Sequence, residues 1–298
     1  MYGHGYIPDQ FFCRIQTLAD ALVYSSVYLS LASCAMMYIA SMFQGISPGA
    51  IPLAIGFCIT FSIYNLNRKS DEVEDGINHA SRYAFTKKYE RMLLSLAVAA
   101  YAGALLLSFR YGAAAAAITA FPLLCGILYS FPLLPRSTGF RRLKDIPLGK
   151  NLTISCAWTV PHVLLPVVLA GKAAGPMTWV TSLFFFSLVF VNTVIFDMRD
   201  VGGDAAAGIR TVPVLLGTRK TSLLLAGLCL VAGAVAVSIA LPVAPLWQVL
   251  ILLLGTAYGT GYVLSFGRIG CDHALCDLLA DGQFIVIGAF LFVAARFA

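Results

Sequence analysis

Nine stretches of about 20 predominantly apolar residues divide this chain, and they constrain its fold more than any other feature. A helix needs about 20 consecutive apolar residues to cross the hydrocarbon core of a bilayer. A membrane-spanning strand would alternate apolar and polar residues instead. We therefore predict nine transmembrane helices, at about residues 21–43, 49–67, 91–109, 112–131, 147–170, 177–197, 221–241, 245–266 and 278–297.

The composition agrees with a membrane protein. Of the 298 residues, 59% are hydrophobic and 11% are charged, and the mean hydropathy is +0.85, whereas soluble domains carry about 25% charged residues. We expect residues 1–298 to form a single all-α integral membrane domain, with its helices in one bundle. Membrane lipid is its expected surrounding, and we expect no nucleic-acid partner.

The charged residues fall on one side of the predicted membrane. If nine helices alternate in direction, 17 of the 20 lysines and arginines lie on the side of the N-terminus. The excess of lysine and arginine in cytoplasmic loops predicts that the N-terminus and these loops are cytoplasmic and that the C-terminus is outside. All fourteen acidic residues fall on the same side, so we expect polar chemistry at this face.

The first acidic motif lies in "YNLNRKSDEVEDGINHASR", residues 64–82, directly after the second apolar stretch. Asn67, Asp71 and Asp75 are spaced i, i+4 and i+8. On a helix this spacing places side chains along one face. The motif therefore predicts three oxygen ligands that converge.

The second acidic motif is "FDMRDVGGD", residues 196–204, at the end of the sixth apolar stretch. Asp197, Asp200 and Asp204 are spaced i, i+3 and i+7, which is again one helical face. This holds if the helix continues through Gly202 and Gly203. If the helix ends there, Asp204 lies in the following turn.

The two motifs have equivalent positions, four helices apart, which suggests two related halves that face one cavity. Crowded carboxylates repel one another unless a cation neutralises them. Mg²⁺ takes oxygen ligands and binds through one or two carboxylates together with substrate phosphates, so two acidic faces imply two metal positions around one polyanion. The alternative is that each cluster is a solvated loop with ion pairs to Arg68, Lys69 and Arg199.

Basic residues follow in "YSFPLLPRSTGFRRLKDIPLGKNL", residues 129–152. Lysine and arginine both bind phosphate, although some of these residues orient the protein or meet anionic lipid. We assign Lys144 to the substrate, and Arg210 in "AAGIRTVP" is a comparable candidate. Arg68, next to Asn67, completes the predicted diphosphate-binding set.

The chain resembles the UbiA superfamily of intramembrane prenyltransferases over nearly its whole length. The resemblance rests on the nine spans, on "NRKSDEVED" as the NxxxDxxxD motif and on "DMRDVGGDAAAGIRTVPVLLG" as the second aspartate motif. The "YSFP" at 129–132 and the "LK" at 143–144 resemble the loop between the fourth and fifth helices. Two departures are Arg68, where many members have aspartate, and Tyr83 after Arg82, where proline is usual.

The resemblance implies a helical bundle around a central cavity that opens sideways to lipid. It implies transfer of a prenyl chain from an isoprenyl diphosphate, such as geranyl or geranylgeranyl diphosphate, with Mg²⁺ as cofactor, in two ions. The catalytic residues would be Asp71, Asp75, Asp200 and Asp204. One ion would be held by Asn67, Asp71 and Asp75, and the other by Asp197, Asp200 and Asp204.

The acceptor is open at this point. A hydroxybenzoate or another aromatic quinone precursor is the commonest expectation, and a glycerol phosphate ether-lipid precursor is the alternative. A cation-coupled transporter is a rival of a different class, but it predicts charged residues deep within the spans. A CDP-alcohol phosphotransferase would need a compact aspartate motif that this sequence lacks.

Heterolysis of an allylic diphosphate leaves a carbocation that aromatic faces can stabilise. Aromatic residues in the middle spans are candidates to line such a chamber, although we expect most of them to pack between helices or to contact lipid: Tyr129, Trp158, Phe184, Phe185, Phe186, Phe190 and Phe196. His162 is a candidate proton acceptor, although a histidine in a membrane helix more often bonds a neighbouring helix. We expect the latter role for His162.

Overall fold

Helices are the regular elements throughout the part of the chain that the computed structural model describes, residues 18–70, 80–130, 146, 148–206, 208–269 and 273–296. They are α1 (Leu18–Tyr24), α2 (Val27–Phe43), α3 (Ala50–Ser70), α4 (Ala80–Lys88), α5 (Glu90–Phe109), α6 (Ala113–Ser130), α7 (Gly149–Leu169), α8 (Pro176–Arg199), α9 (Val201–Ala206), α10 (Val212–Leu216), α11 (Thr218–Ala240), α12 (Leu246–Ile269) and α13 (His273–Ala294). The all-α prediction is confirmed.

Seven described helices are long and apolar enough to cross a membrane: α3, α5, α7, α8, α11, α12 and α13. The pair α1 and α2 is bent by 67° and would make an eighth span if it counts as one. Helix α6 is apolar but shorter, over Ala113–Tyr129. Each of the nine predicted stretches coincides with a helix or with this bent pair, but nine spans are not confirmed within the described ranges.

The bend between α1 and α2 is held by side chains from the last turns of α3. Ser26, at the bend, has a left-handed backbone with φ of 67°. Asn65 donates from Nδ2 to the Ser25 carbonyl at 3.0 Å, and Arg68 donates to the carbonyls of Tyr24 and Val23. The last carbonyls of a helix have no partner within the helix, so these two side chains stabilise the break.

The helices close into a ring. Helix α2 packs against α3, then α3 against α5, α5 against α6, α6 against α7, and α7 against α8. Helix α8 packs on α11 and α12, and α13 returns to α2. Close packing depends on small residues, as is common in membranes: a Cβ added at Gly255 of α12 would overlap the ring of Phe184 on α8.

The charged end of the bundle is defined by the ion pairs Lys69–Glu90, Lys150–Asp197 and Arg199–Asp277. These pairs join the C-terminal ends of α3 and α8 to the N-terminal ends of α5, α7 and α13. At the opposite end, Lys172 donates to the Gly45 carbonyl at 2.6 Å. The described acidic residues and most basic residues therefore meet at one end, where the sequence predicts polar chemistry.

Candidate functional site

A cavity of about 240 Å³ opens at the charged end between α3, α6 and α7. Each of these helices lines it with residues at helical spacing, which shows that one face of each helix turns inward. The lining residues are Ile63, Tyr64, Asn67 and Arg68 of α3, Arg82 of α4, Pro122, Cys125, Gly126 and Tyr129 of α6, and Thr153, Ile154, Ala157 and Trp158 of α7.

The cavity has an apolar part and a polar mouth. Ile63, Pro122 and Trp158 lie further from the charged ends of their helices, whereas Asn67, Arg68 and Tyr129 lie in the last turns of α3 and α6. An amphipathic ligand with an apolar tail and an anionic head suits this gradient, because the tail is removed from water while the head meets cationic groups.

Two of the predicted chamber aromatics line the cavity. Trp158 donates from Nε1 to the Tyr64 hydroxyl at 3.1 Å, and Tyr129 lies near the mouth. Phe184 and Phe185 instead belong to the core around α8, with exposures of 2% and 0%. Two of the candidate aromatics therefore line the cavity, whereas Phe184 and Phe185 pack between helices, as is expected for most of these candidates.

His162 is buried one turn below Trp158, on which its ring stacks with centroids 5.2 Å apart. Its Nε2 lies 2.6 Å from the Ser33 Oγ of α2, and its Nδ1 contacts the Trp158 carbonyl. Both ring nitrogens are thus engaged by the protein. The expected role, a hydrogen bond to a neighbouring helix, is confirmed.

The second acidic motif does not lie on one continuous helix. Helix α8 ends at Arg199, Asp200 is its C-cap residue, and Asp204 lies on the separate short helix α9. A hydrogen bond links the two helices across the break, because the Asp204 amide donates to the Asp200 carbonyl at 3.0 Å. The break therefore falls earlier than the glycine pair at which the sequence allowed it.

Asp197 is buried, with 1% of the residue exposed, and both of its oxygens accept hydrogen bonds from α7. Lys150 donates from Nζ to Oδ1 at 2.9 Å, and Asn151 donates from Nδ2 to Oδ2 at 2.8 Å. Asn151 also donates to the Thr193 Oγ1 at 3.2 Å. These bonds fix the Asp197 carboxylate against the start of α7.

Asp200 is paired with its neighbour Arg199. The Arg199 Nε lies 2.9 Å from Oδ1 and its Nη2 lies 2.8 Å from Oδ2. Arg199 also donates to Asp277 of α13 and lies over the Phe196 ring, 4.9 Å from its centroid. This arginine therefore links the second motif to the last helix.

Asp204 differs from the other two aspartates. Its Oδ2 atom is buried and has no hydrogen-bond partner among the described residues, and the Thr211 Oγ1 is in the same condition. Partial burial raises the pKa of Asp204, and Asp197 and Asp200 add to this effect. The positive charge of Lys150 and the nearby Thr211 hydroxyl oppose it. An unpaired carboxylate oxygen of this kind is suited to accept a cation.

The other predicted site residues are placed as follows. Asn67 and Arg68 line the mouth of the cavity, and Arg68 also holds the bend between α1 and α2. Arg210 is exposed in the connection between α9 and α10. Asp71, Asp75 and Lys144 lie outside the described residues, so the first metal position and the Lys144 assignment stay predictions.

Four polar residues near the site were not assigned a role from the sequence, namely Lys150, Asn151, Asp277 and Asp281. Lys150 lies within electrostatic reach of both Tyr129 and Asp204, so it connects the cavity to the second motif. Asp281 of α13 interacts electrostatically with Arg68 of α3, Arg82 of α4 and Arg199 of α8.

A sequence signal for Asp277 and Asp281 did exist. They are spaced i, i+4 at the start of the last apolar stretch, which places them on one helical face. Asp281 lies two turns inside α13, so this acidic residue is not at the end of its helix.

The described residues fit a divalent cation in part. They include no group of three His, Cys, Asp or Glu side chains that would hold a metal ion by itself. The Asp204 Oδ2, which has no hydrogen-bond partner among the described residues, is a suitable ligand atom, and Asp200, four residues earlier, contributes a second carboxylate. Mg²⁺ needs few protein ligands when phosphates complete its coordination, so this donor set suits an ion that a diphosphate brings with it.

Comparison with known proteins identifies two relatives that share one name. The chain is 31% identical over 166 residues to a digeranylgeranylglyceryl phosphate synthase of Methanoculleus marisnigri, which covers 51% of this chain and 56% of the relative. It is 29% identical over 135 residues to a protein of the same name from Methanothrix thermoacetophila, over 45% of this chain and 46% of that relative. The chain thus spans about half the length of these relatives.

The fold is shared with a UbiA homolog from Archaeoglobus fulgidus that was solved bound to GPP and Mg²⁺. The two structures superpose with a TM-score of 0.66 over 90% of this chain and 95% of the other, at 18% identity. The sequence profile of the UbiA prenyltransferase family matches residues 24–271 of this chain. With this match over most of its length, and with its helices arranged as in a solved homolog, the chain belongs to the UbiA prenyltransferase family.

Proposed function

We propose that this protein transfers an isoprenyl chain from a prenyl diphosphate to a lipophilic acceptor in the membrane, with Mg²⁺ as cofactor. The observation that carries the proposal is the cavity between α3, α6 and α7, which is apolar inside and has Asn67, Arg68 and Arg82 among its lining residues. Family membership supports an enzyme over the rival transporter. A solved relative that binds GPP and Mg²⁺ supports the donor class.

In the proposed reaction, the bond between the allylic carbon and the bridging oxygen breaks, and both electrons leave with the diphosphate. An acceptor atom forms a new bond to that carbon and loses a proton. Mg²⁺, when bound, would neutralise charge on the leaving diphosphate. The chain's own contribution is to bind the tail, hold the head at the mouth and keep water from the allylic carbon.

Specific side chains would perform these tasks. Asp200 and Asp204, with Asn67, Asp71 and Asp75 of the first motif, would hold the two ions. Arg68 lines the mouth and would attract the diphosphate, as would Lys144 and Arg210. Tyr64 and Trp158 line the cavity, and their rings would stabilise a developing cation by cation–π attraction.

We propose a glycerol phosphate ether lipid as the acceptor and a geranylgeranyl chain as the donor's tail. The support is the name that these relatives share, digeranylgeranylglyceryl phosphate synthase. This reverses the initial preference for an aromatic quinone precursor, which no relative named above supports. We further propose that the charged end faces the cytoplasm, because lysine and arginine concentrate there.

The test is a transfer assay with purified protein, Mg²⁺ and radiolabelled geranylgeranyl diphosphate. Geranylgeranylglyceryl phosphate and 4-hydroxybenzoate are offered in parallel, each at the same concentration. We expect labelled product with the ether lipid, and loss of product when EDTA removes Mg²⁺. Product with hydroxybenzoate alone would restore the quinone reading, and no product with either acceptor would contradict the proposed acceptor classes.

A further inference from the structure

We propose that Asp197 is a positioning residue rather than a metal ligand, and that it holds Lys150 at the cavity mouth so that Lys150 Nζ binds the diphosphate. This inference rests on the proposed function and assigns a role to a lysine that sequence reasoning passed over in favour of Lys144.

The first observation is that each oxygen of the Asp197 carboxylate accepts a hydrogen bond from α7. Lys150 Nζ lies 2.9 Å from one oxygen and Asn151 Nδ2 lies 2.8 Å from the other. The Asp197 side chain is 1% exposed, whereas that of Asp200 is 19% exposed, and a divalent ion at Asp197 would stand beside the Lys150 ammonium group, which repels it. Asp204, by contrast, has a buried oxygen with no described partner. The two aspartates therefore have different chemistry.

The second observation is the direction of α7. Lys150, Thr153, Ile154, Ala157 and Trp158 are spaced i, i+3, i+4, i+7 and i+8, which is one helical face. The last four of these residues line the cavity. Lys150 therefore lies on the face of α7 that lines the cavity, at the charged end of the helix. The head of a ligand would lie at this end if its tail were inside the cavity.

The third observation is that Lys150 can reach a ligand. Its side chain is 36% exposed, whereas that of Asp197 is 1% exposed. It lies within electrostatic reach of Tyr129, which lines the cavity, and of Asp204. An ammonium group has three N–H donors, and Asp197 accepts one of them. The remaining donors are suited to phosphate oxygens, which lysine binds as a compact positive charge.

A phosphate at Lys150 has two sources in the proposed reaction, the diphosphate of the donor and the single phosphate of the ether-lipid acceptor. We assign Lys150 to the diphosphate of the donor. Lys150 lies on the same face of α7 as the residues that line the cavity, and this cavity would hold the donor's apolar tail. The experiment separates the two sources.

The experiment measures binding by calorimetry in detergent. The ligand is geranylgeranyl thiolodiphosphate, in which sulfur replaces the bridging oxygen and transfer is slow. At saturating Mg²⁺, we expect Lys150→Met to weaken its binding roughly tenfold to a hundredfold, as for loss of a hydrogen bond to a charged group. Lys150→Arg should retain affinity within about threefold, because it preserves the charge. Binding of geranylgeranylglyceryl phosphate should change little in Lys150→Met.

The metal is tested separately, by titrating Mg²⁺ at saturating analogue. If Asp197 positions Lys150, Asp197→Asn leaves the Mg²⁺ midpoint within about threefold of the wild-type value, since no ligand to the ion is lost. The double variant Lys150→Met/Asp197→Asn leaves no unpaired buried charge, so it folds even if Lys150→Met does not. It should show the same loss of analogue affinity. Lys220→Met, an exposed lysine at the start of α11, is the matched control and should bind as the wild type does.

The outcomes are distinguishable. If wild-type protein binds no analogue, the proposed function fails and takes this inference with it. If wild-type protein binds it and Lys150→Met and the double variant bind equally well, the Lys150 assignment alone is wrong. A rise of tenfold or more in the Mg²⁺ midpoint of Asp197→Asn would restore Asp197 as a metal ligand. Loss of acceptor binding alone in Lys150→Met would move the lysine to the acceptor.

Discussion

The indole of Trp158 on α7 and the hydroxyl of Tyr64 on α3 are joined by a 3.1 Å hydrogen bond along the wall of the cavity. The rings meet edge to face, with centroids 5.9 Å apart. This contact ties together two helices that each carry site residues at their charged ends, Asn67 on α3 and Lys150 on α7. The cavity wall and the site geometry therefore depend on the same pair.

Trp158→Ala is expected to lower the free energy of unfolding by about 3 kcal/mol, the lower end for truncating a buried tryptophan because the side chain already borders a cavity. Tyr64→Phe, which removes only the hydrogen bond, should cost about 1 kcal/mol. Denaturant titration in mixed micelles measures both. Equal losses in the two variants would contradict a packing role for the indole.

Asp204→Asn is expected to raise the Mg²⁺ concentration needed for half-maximal transfer and to lower turnover roughly a hundredfold, as for loss of a group that stabilises developing charge. The reason is that its buried, unpaired oxygen is the described atom best suited to the ion. Transfer assays over a range of Mg²⁺ concentrations measure both effects.

Glu90→Gln is the control for Asp204→Asn. Glu90 lies at the same end of the bundle and pairs with Lys69 and Lys87, but it belongs to neither motif. Partly exposed ion pairs contribute little, so this variant should behave as the wild type. If both variants required more Mg²⁺, the effect would reflect the overall charge of this end.

Asn65→Ala is expected to destabilise the protein by about 1 to 3 kcal/mol, because it removes the donor to the Ser25 carbonyl at the bend between α1 and α2 and leaves that group without its bond. Asn65→Asp is the informative companion, since it has nearly the same shape but cannot donate when ionised. Thermal unfolding of the two variants should therefore show similar losses. A stable Asn65→Asp protein would show that the bend does not need this bond.

Asp281→Asn is expected to strengthen donor binding severalfold. Its carboxylate lies within electrostatic reach of Arg68 and Arg82, both of which line the cavity, and in its ionised form it opposes their attraction for an anion. The near-isosteric change keeps the packing of α13. Calorimetry with the thiolodiphosphate analogue measures the effect, and weaker binding would instead give Asp281 a role in orienting these arginines.

Local sequence patterns predict much of the fold. Apolar stretches predict where helices lie because each helix must satisfy its backbone internally within lipid, and each predicted stretch does coincide with helical structure. Apolar stretches alone do not set the number of spans, because helix length and bending decide it: α6 is short and the first span bends at Ser26. The bend depends on Asn65 and Arg68, which are some forty residues away in sequence.

The candidate site likewise has features that the sequence predicts and features that only the packing decides. The spacing of Asp197, Asp200 and Asp204 identified the second motif, because i, i+3 and i+7 residues share a helical face whatever surrounds them. The local pattern does not reveal that Asp197 meets Lys150 and Asn151 or that Asp200 meets Arg199. Nor does it reveal that one Asp204 oxygen has no hydrogen-bond partner among the described residues. Partners from distant segments meet through the packing of whole helices, and that packing sets which carboxylate is satisfied by the protein and which is left for a ligand.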